Sequence, residues 1–139
     1  MIVLDTNVLS EALKPAPSAK VLEWMARQAP AGVFVTAITQ AEMLYGIEAL
    51  PAGKRRNALA AAVDAIFGLE FAGRILAFDD SAAPIYSAII ASREKLGRPI
   101  SQSDAMIGAI ARRHGASLAT RNVADFEHCG LRIINPWAG

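Results

Sequence analysis

The chain has 139 residues, 53% of them hydrophobic, with 14 Lys and Arg against 13 Asp and Glu. That length supports one core and a single domain over residues 1–139, and a formal net charge of +1 argues against broad electrostatic nucleic-acid binding while leaving room for a local basic rim. The lone Cys129 excludes an internal disulfide framework and a thiolate zinc cluster and suits a reducing cytoplasm; the apolar start stops at Asp5 and no stretch reaches spanning length, so neither a signal peptide nor a membrane anchor is expected.

The 28 alanines favour helix and let helices approach a sheet closely, so more helix than strand is expected. Met1 to Leu4 is an apolar run with two β-branched residues, which predicts a buried strand, and Asp5-Thr6-Asn7 then supplies turn and helix-capping chemistry. Asp5 thus stands at a strand's carboxyl end, the edge where open α/β sheets bind ligands. Val8 to Leu13 predicts a short helix ended by Pro15 and Pro17, and Ser18 starts the next one through Val21, Leu22, Trp24 and Met25. Gly32 opens a second strand, Val33 to Thr36. Ile38 to Leu50 is helical until Pro51 and Gly53, and a longer helix follows from about Lys54 to Phe71, with Leu59, Val63, Ile66 and Phe67 as its buried face. Arg74 to Phe78 predicts a third strand, after which Asp79, Asp80 or Ser81 caps a helix carrying Ile85, Tyr86, Ile89 and Ile90. Gly97 to Ile100 is a loop; Ser101 or Ser103 caps a helix that runs to about His114 and stops at Gly115. Ser117 to Thr120 and Leu131 to Ile134 complete the strands. Strands alternate with helices throughout, which argues for a mostly parallel sheet of four to five strands with helices on both faces.

Four acids are placed to matter. Asp5 ends the first strand; Glu42 shares a helical stripe with Ile38, Tyr45 and Gly46; Asp104 stands just inside a helix start in line with Ile107, Gly108 and Ala111; Asp125 follows the strand that ends at Thr120. Each also has a structural reading: Asp5 as a helix cap, Asp104 as a first-turn dipole partner, Glu42 as a partly exposed helix residue, Asp125 as a surface acid. If they converge on one cleft, their mutual repulsion calls for protonation or a cation, and oxygen-only ligands suit Mg²⁺ or Mn²⁺ better than zinc. His114 and His128 beside Cys129 are too few and too badly spaced for zinc, and no Gly-rich phosphate loop follows the first strand. Trp24, Trp137, Met43 and Met106 read as packing residues.

The segments Val3-Leu4-Asp5-Thr6-Asn7, Thr39-Gln40-Ala41-Glu42-Met43-Leu44-Tyr45-Gly46, Ser103-Asp104-Ala105-Met106-Ile107-Gly108-Ala109 and Ala119-Thr120-Arg121-Asn122-Val123-Ala124-Asp125-Phe126 resemble the four motifs of PIN-domain nucleases. The likeness runs over nearly the whole chain, through Ile134-Asn135-Pro136-Trp137, and is greatest to the VapC-type toxins and their FitB-like relatives. It implies a PIN-like three-layer α/β/α sandwich and a metal-dependent ribonuclease, the toxin of a type II toxin-antitoxin pair. By motif position, Asp5 and Asp104 would be the principal Mg²⁺ ligands, with Glu42 and Asp125 completing the acidic cluster. Many relatives carry an acid directly after the Thr-Arg pair, where this chain has Asn122, so Asn122 and Asp125 compete for the fourth position. The resemblance also implies a homodimer, a cognate antitoxin that blocks the site, and operator DNA bound mainly through that antitoxin.

Phosphodiester hydrolysis needs an activated water and relief of the charge that develops on the phosphate, both of which bound Mg²⁺ supplies. Asn7 and Thr120 are neutral hydrogen-bonders that could orient the acids, or serve only in turns and caps. Arg121, the run Lys54-Arg55-Arg56 and the pair Arg112-Arg113 are candidate RNA contacts or solvated faces. The helices around Leu9, Leu13, Leu22, Trp24 and Met25 offer a groove for an amphipathic antitoxin segment. The alternatives are a receiver-like Mg²⁺-binding signalling domain, with Asp79-Asp80 as its foothold, or a module that only docks a partner.

Overall fold

A computed structural model describes residues 1–138. Five strands, β1 (Ile2–Leu4), β2 (Val33–Thr36), β3 (Ile75–Leu76), β4 (Ser117–Ala119) and β5 (Ile133–Ile134), form one sheet in the order β3-β2-β1-β4-β5, parallel throughout. The expected three-layer α/β/α sandwich follows, because successive strand residues point to opposite faces and both faces here are apolar. Leu4 and Val35 join one core with Val8, Val21, Trp24 and Phe67, supplied by α1 (Thr6–Ala12), α2 (Ala19–Ala26), α4 (Lys54–Ala65) and the turn after it. On the other face, Val3 and Leu118 pack with Ile107 and Phe126, and Ile89, Ala105, Ala109 and Ile110 extend that core between α5 (Ala83–Lys95) and α6 (Gln102–Arg113). Helix α3 (Ala37–Glu48) starts directly at the end of β2, with Thr36 as its cap. Among the described residues no helix is long and apolar enough to cross a membrane.

Three boundaries depart from the sequence reading. The third strand pairs only at Ile75 and Leu76, because its partner β2 turns into α3 after Thr36 and leaves Ala77 and Phe78 nothing to bond. The helix expected to run to Phe71 ends at Ala65 and continues as one wider turn, Ile66–Glu70, whose extra residue lets Ile66, Phe67 and Phe71 all reach the core. Helix α5 has no side-chain cap; the Asp79 carboxylate instead accepts from the Ser81 and Ala82 amides and the Ser81 hydroxyl, ordering the turn that leads into it. Helix α6 ends as expected, with Gly115 at φ 64° and the Gly115 and Ala116 amides donating back to the Arg112 and Ala111 carbonyls.

Strand β1 lies at the centre, and the chain order reverses between β1 and β4. Leu4 is in register with Ala119, and the Asp5 amide donates to the Ala119 carbonyl at 2.9 Å. The carboxyl ends of β1 and β4 therefore meet at the topological switch, the place where open α/β sheets put a ligand crevice.

Candidate active site

At that crevice Asp5 is 4% exposed. Its Oδ1 accepts the Thr6 amide at 2.8 Å, and its Oδ2 accepts the Thr120 hydroxyl at 2.7 Å and the Asn7 side-chain amide at 3.3 Å. The Thr120 oxygen also accepts from the Asn7 side chain at 3.2 Å and from the Asn122 amide at 3.1 Å, while Asn7 Oδ1 accepts the Arg121 amide at 3.3 Å. Asn7 and Thr120 thus bond Asp5 directly, while Asn122 reaches only Thr120, through its backbone amide. Asp5 caps α1 through one oxygen, and the other is held by Thr120 at the end of β4 and by Asn7 of α1.

Asp104 is half-buried in the first turn of α6, which Ser101 rather than Ser103 caps by accepting the Asp104 amide. Glu42 comes from α3 and is exposed; its Oε1 accepts the Thr6 hydroxyl at 2.9 Å. Of the stripe expected to carry Glu42 inward, only Ile38 packs on the core; Tyr45, 73% exposed, and Gly46 face outward, because α3 packs mainly through Thr39 and Met43. Asp125 lies exposed in a single 3₁₀ turn, Val123–Phe126, which Phe126 anchors in the core.

Asp5 and Asp104 both feel neighbouring acids. Burial lifts the Asp5 carboxyl above its ordinary value of 3.8; the Thr120 hydroxyl and Thr6 amide oppose that rise, and Glu42 and Asp125 add to it. Burial also raises Asp104, the Asp5 charge next, against the Ser101 hydroxyl; Asp125 raises it further, and the Arg93 guanidinium pulls it down. Among the described residues, no salt bridge reaches any of the four carboxylates. Nor do three His, Cys, Asp or Glu side chains among them close into a metal cage. Repelling carboxylate oxygens in an open arrangement fit a hard cation that keeps several waters and takes one or two protein carboxylates, and do not fit zinc.

Beside Thr6 and Glu42, a groove of about 780 Å³ runs between α1, α3 and α4, lined by Leu13, Met43, Ile47, Leu50 and Leu59. Of the residues expected to form a groove on the first two helices, Leu9 and Trp24 are core residues, Leu22 is exposed, and Leu13 lines this opening. Arg55 lines the groove, whereas Arg56 is tied to the Ile47 carbonyl and Glu48. Arg112 and Arg113 end α6, roughly 12 Å along its axis from Asp104, and so do not rim the acids. Arg121 lies over the Trp137 ring at 5.2 Å, next to the network around Asn7.

Sequence reasoning gave Thr6 only turn and capping chemistry and assigned no role of their own to Thr39, Glu11 or Arg93. Thr6 links Glu42 to Thr39, which bonds the Thr36 hydroxyl in turn, so a chain of hydroxyls joins the ends of β1 and β2. A threonine at each end of the Thr36 to Thr39 interval was the available signal. Glu11 is buried and its carboxylate accepts Lys14 Nζ and the Ser18 amide, both at 3.0 Å, fastening the turn between α1 and α2. Arg93 is 4% exposed and bonds only to groups distant in sequence or main chain, which no local pattern reveals.

The PIN domain family model matches residues 2–129. The chain is 42% identical over 137 residues to the VapC ribonuclease Y4jK of Sinorhizobium fredii, covering 99% of this chain and 98% of that protein. It is 38% identical to the toxin FitB of Neisseria gonorrhoeae, covering 99% of each chain. Among solved structures, a FitAB complex bound to an IR36 DNA fragment contains a chain of TM-score 0.93 and 39% identity, covering 99% of this chain and 96% of that one. Full-length relatedness, the parallel sheet and the acids at its switch point agree, and the chain belongs to the PIN domain family.

Proposed function

We propose that this chain is an Mg²⁺-dependent endoribonuclease that hydrolyses RNA phosphodiester bonds and acts as the toxin of a type II toxin-antitoxin pair. The observation that carries the reading is the buried Asp5 carboxylate at the β1–β4 switch point, raised by burial and by its acidic neighbours and met by no salt bridge among the described residues. Asp5 and Asp104 would hold Mg²⁺, with Mn²⁺ as a substitute. The cation, when bound, offsets the carboxylate charge and supplies Lewis-acid chemistry for phosphodiester hydrolysis. Thr120 and Asn7 fix the orientation of Asp5 by donating to Oδ2. Thr6 holds Glu42 toward the end of β1. Glu42 and Asp125, the two exposed acids, orient the attacking water or take its proton. Asp125 fills the fourth position in preference to Asn122, since its charge is felt at both Asp5 and Asp104 while Asn122 engages the network through its backbone.

The names of the relatives support RNA as substrate and an antitoxin as partner. The groove between α1, α3 and α4 would seat an amphipathic antitoxin segment, with a basic side chain sent toward the acids at its Thr6 and Glu42 end. Operator DNA would then be bound mainly through the antitoxin, and the toxin would act as a cytoplasmic homodimer. The test is cleavage of an RNA panel by the purified, antitoxin-free chain with Mg²⁺ or Mn²⁺, with EDTA, and with Asp104→Asn. Cutting that needs metal and falls by at least about 100-fold in the folded variant is expected. No cutting together with no metal binding overturns the reading in favour of a docking module.

A further inference from the structure

Arg93 ends the last turn of α5, is 4% exposed, and takes part in no salt bridge among the described residues. A guanidinium cannot shed its proton, so a buried one must spend its donors on acceptors placed for it. Here Nε donates to the Arg98 carbonyl at 2.6 Å, and Nη1 donates to the Asp125 carbonyl at 2.7 Å, the Glu127 carbonyl at 3.0 Å and the Cys129 sulfur at 3.7 Å. The Arg98 carbonyl lies in the loop that delivers Ser101 and Asp104 to the start of α6. The other acceptors lie in the turn that carries Asp125 and in the segment just after it. One rigid fork therefore ties together the two segments that bring the third and fourth candidate acids to the crevice. An exposed ion pair, Arg98 Nη2 to Glu127 Oε2 at 3.0 Å, joins the same two segments from outside.

We infer that Arg93 is a positioning residue: by donating to the Arg98, Asp125 and Glu127 carbonyls it sets the placement of Asp125 relative to Asp104. This rests on the nuclease reading for its functional consequence, and its geometric content does not. Within the turn the Ala124 carbonyl accepts the Glu127 amide, whereas the Asp125 carbonyl is met by Arg93. A lysine at 93 keeps the charge but offers no planar fork, so it satisfies one segment at a time.

The experiment compares wild type, Arg93→Lys and Arg93→Met, each alone and with Asp125→Asn, using three readouts: amide hydrogen exchange over residues 122–129, Mn²⁺ binding by calorimetry, and single-turnover cleavage of the RNA that wild type cuts best. Arg93→Lys is expected to remain folded and to lose exchange protection in 122–129. Mn²⁺ affinity and cleavage should each fall about 10-fold or more, as when a group supporting a metal site is removed. In the Asp125→Asn background the further fall should stay within about 2-fold, because Arg93 would act through a residue already disabled. A merely structural role lowers melting temperature but leaves equal falls in both backgrounds, and that result overturns the proposal. Should both variants unfold, side-chain NMR of wild type decides: slow rotation about the Arg93 Cζ–Nε bond is required, and free rotation refutes the clamp. Wild type that neither binds Mn²⁺ nor cuts RNA overturns the nuclease reading, while the exchange and rotation measurements still judge the clamp.

Discussion

Replacing Thr120 with valine removes the hydroxyl that holds Asp5, and with it the acceptor of the Asn7 side chain and the Asn122 amide, and pairing it with Asp5→Asn isolates the Asp5 share. Thr120 is fully buried, and its hydroxyl donates to Asp5 Oδ2 at 2.7 Å, a distance within the range of charge-assisted O–H···O⁻ bonds. Such a bond contributes about 1.5–3 kcal/mol, and the methyl that valine adds in a dry site recovers somewhat under about 1 kcal/mol. The volume is nearly unchanged, so no cavity opens. The expected net loss is about 1–2 kcal/mol at neutral pH, a fall in melting temperature of roughly 3–10 °C for a chain of this size. The pH dependence has a definite sign. Asp5 titrates above 3.8 in the folded protein, so ionising it weakens the fold as pH rises through that folded value, and removing the Thr120 donor moves the value higher still. The penalty of Thr120→Val should therefore be smaller in acid, where Asp5 is protonated, and grow to its full size toward neutral pH. Urea unfolding of wild type, Thr120→Val, Asp5→Asn and the double variant at several pH values measures it. In the Asp5→Asn background the bond becomes neutral and the penalty should fall by about half. A penalty equal in both backgrounds, or flat with pH, would refute the assignment of Thr120 to the Asp5 carboxylate.

Asp104→Asn should stabilise the metal-free protein at neutral pH, since the folded carboxyl titrates above 3.8 and its ionisation costs stability; the advantage should vanish below that value, and Mg²⁺ should raise the melting temperature of wild type and not of the variant. Glu11→Gln should behave oppositely. The Glu11 carboxyl is held below 4.5 by the Lys14 side chain and the Ser18 amide, so its contribution is present above that value and lost as pH falls through the folded one; the variant's deficit in melting temperature should disappear in acid. Gly108→Ala should stabilise the fold by up to about 1 kcal/mol, because a Cβ there meets Leu131, Ile89 and Phe126 carbons at 3.5, 3.7 and 3.8 Å, ordinary contacts, while helix propensity improves. Gly108→Val would overpack the same site by about 1–3 kcal/mol, and urea titration of the pair distinguishes the two signs.

The layered α/β plan was legible in the chain because its signals are local: short apolar runs that end at Asp5, Thr36 and Thr120, helices with caps at Ser18 and Ser101, and a stop at Gly115. Strand ends too can be read locally, and a carboxyl edge is where an α/β sheet puts its ligands, so Asp5 and the Thr120 segment could be named before any fold was known. Which strands lie side by side is not a local property. Only the order β3-β2-β1-β4-β5 brings Thr120 against Asp5 across 115 positions of sequence. Helical periodicity likewise misjudged Tyr45 and Gly46 of α3, because the side facing the core is decided by what the neighbouring helices present to it, and Glu42 bonds Thr6 from an exposed position. Arg93 is the extreme case: a charged residue near a helix end reads as solvated, and only the packing of α5 against α6 and the Asp125 turn buries it. The sequence by itself determined the elements and most of the chemistry they carry, since propensity, capping and periodicity act over a few residues. Tertiary structure decided which polar groups meet, because a buried donor or acceptor is satisfied by whatever neighbour the topology supplies.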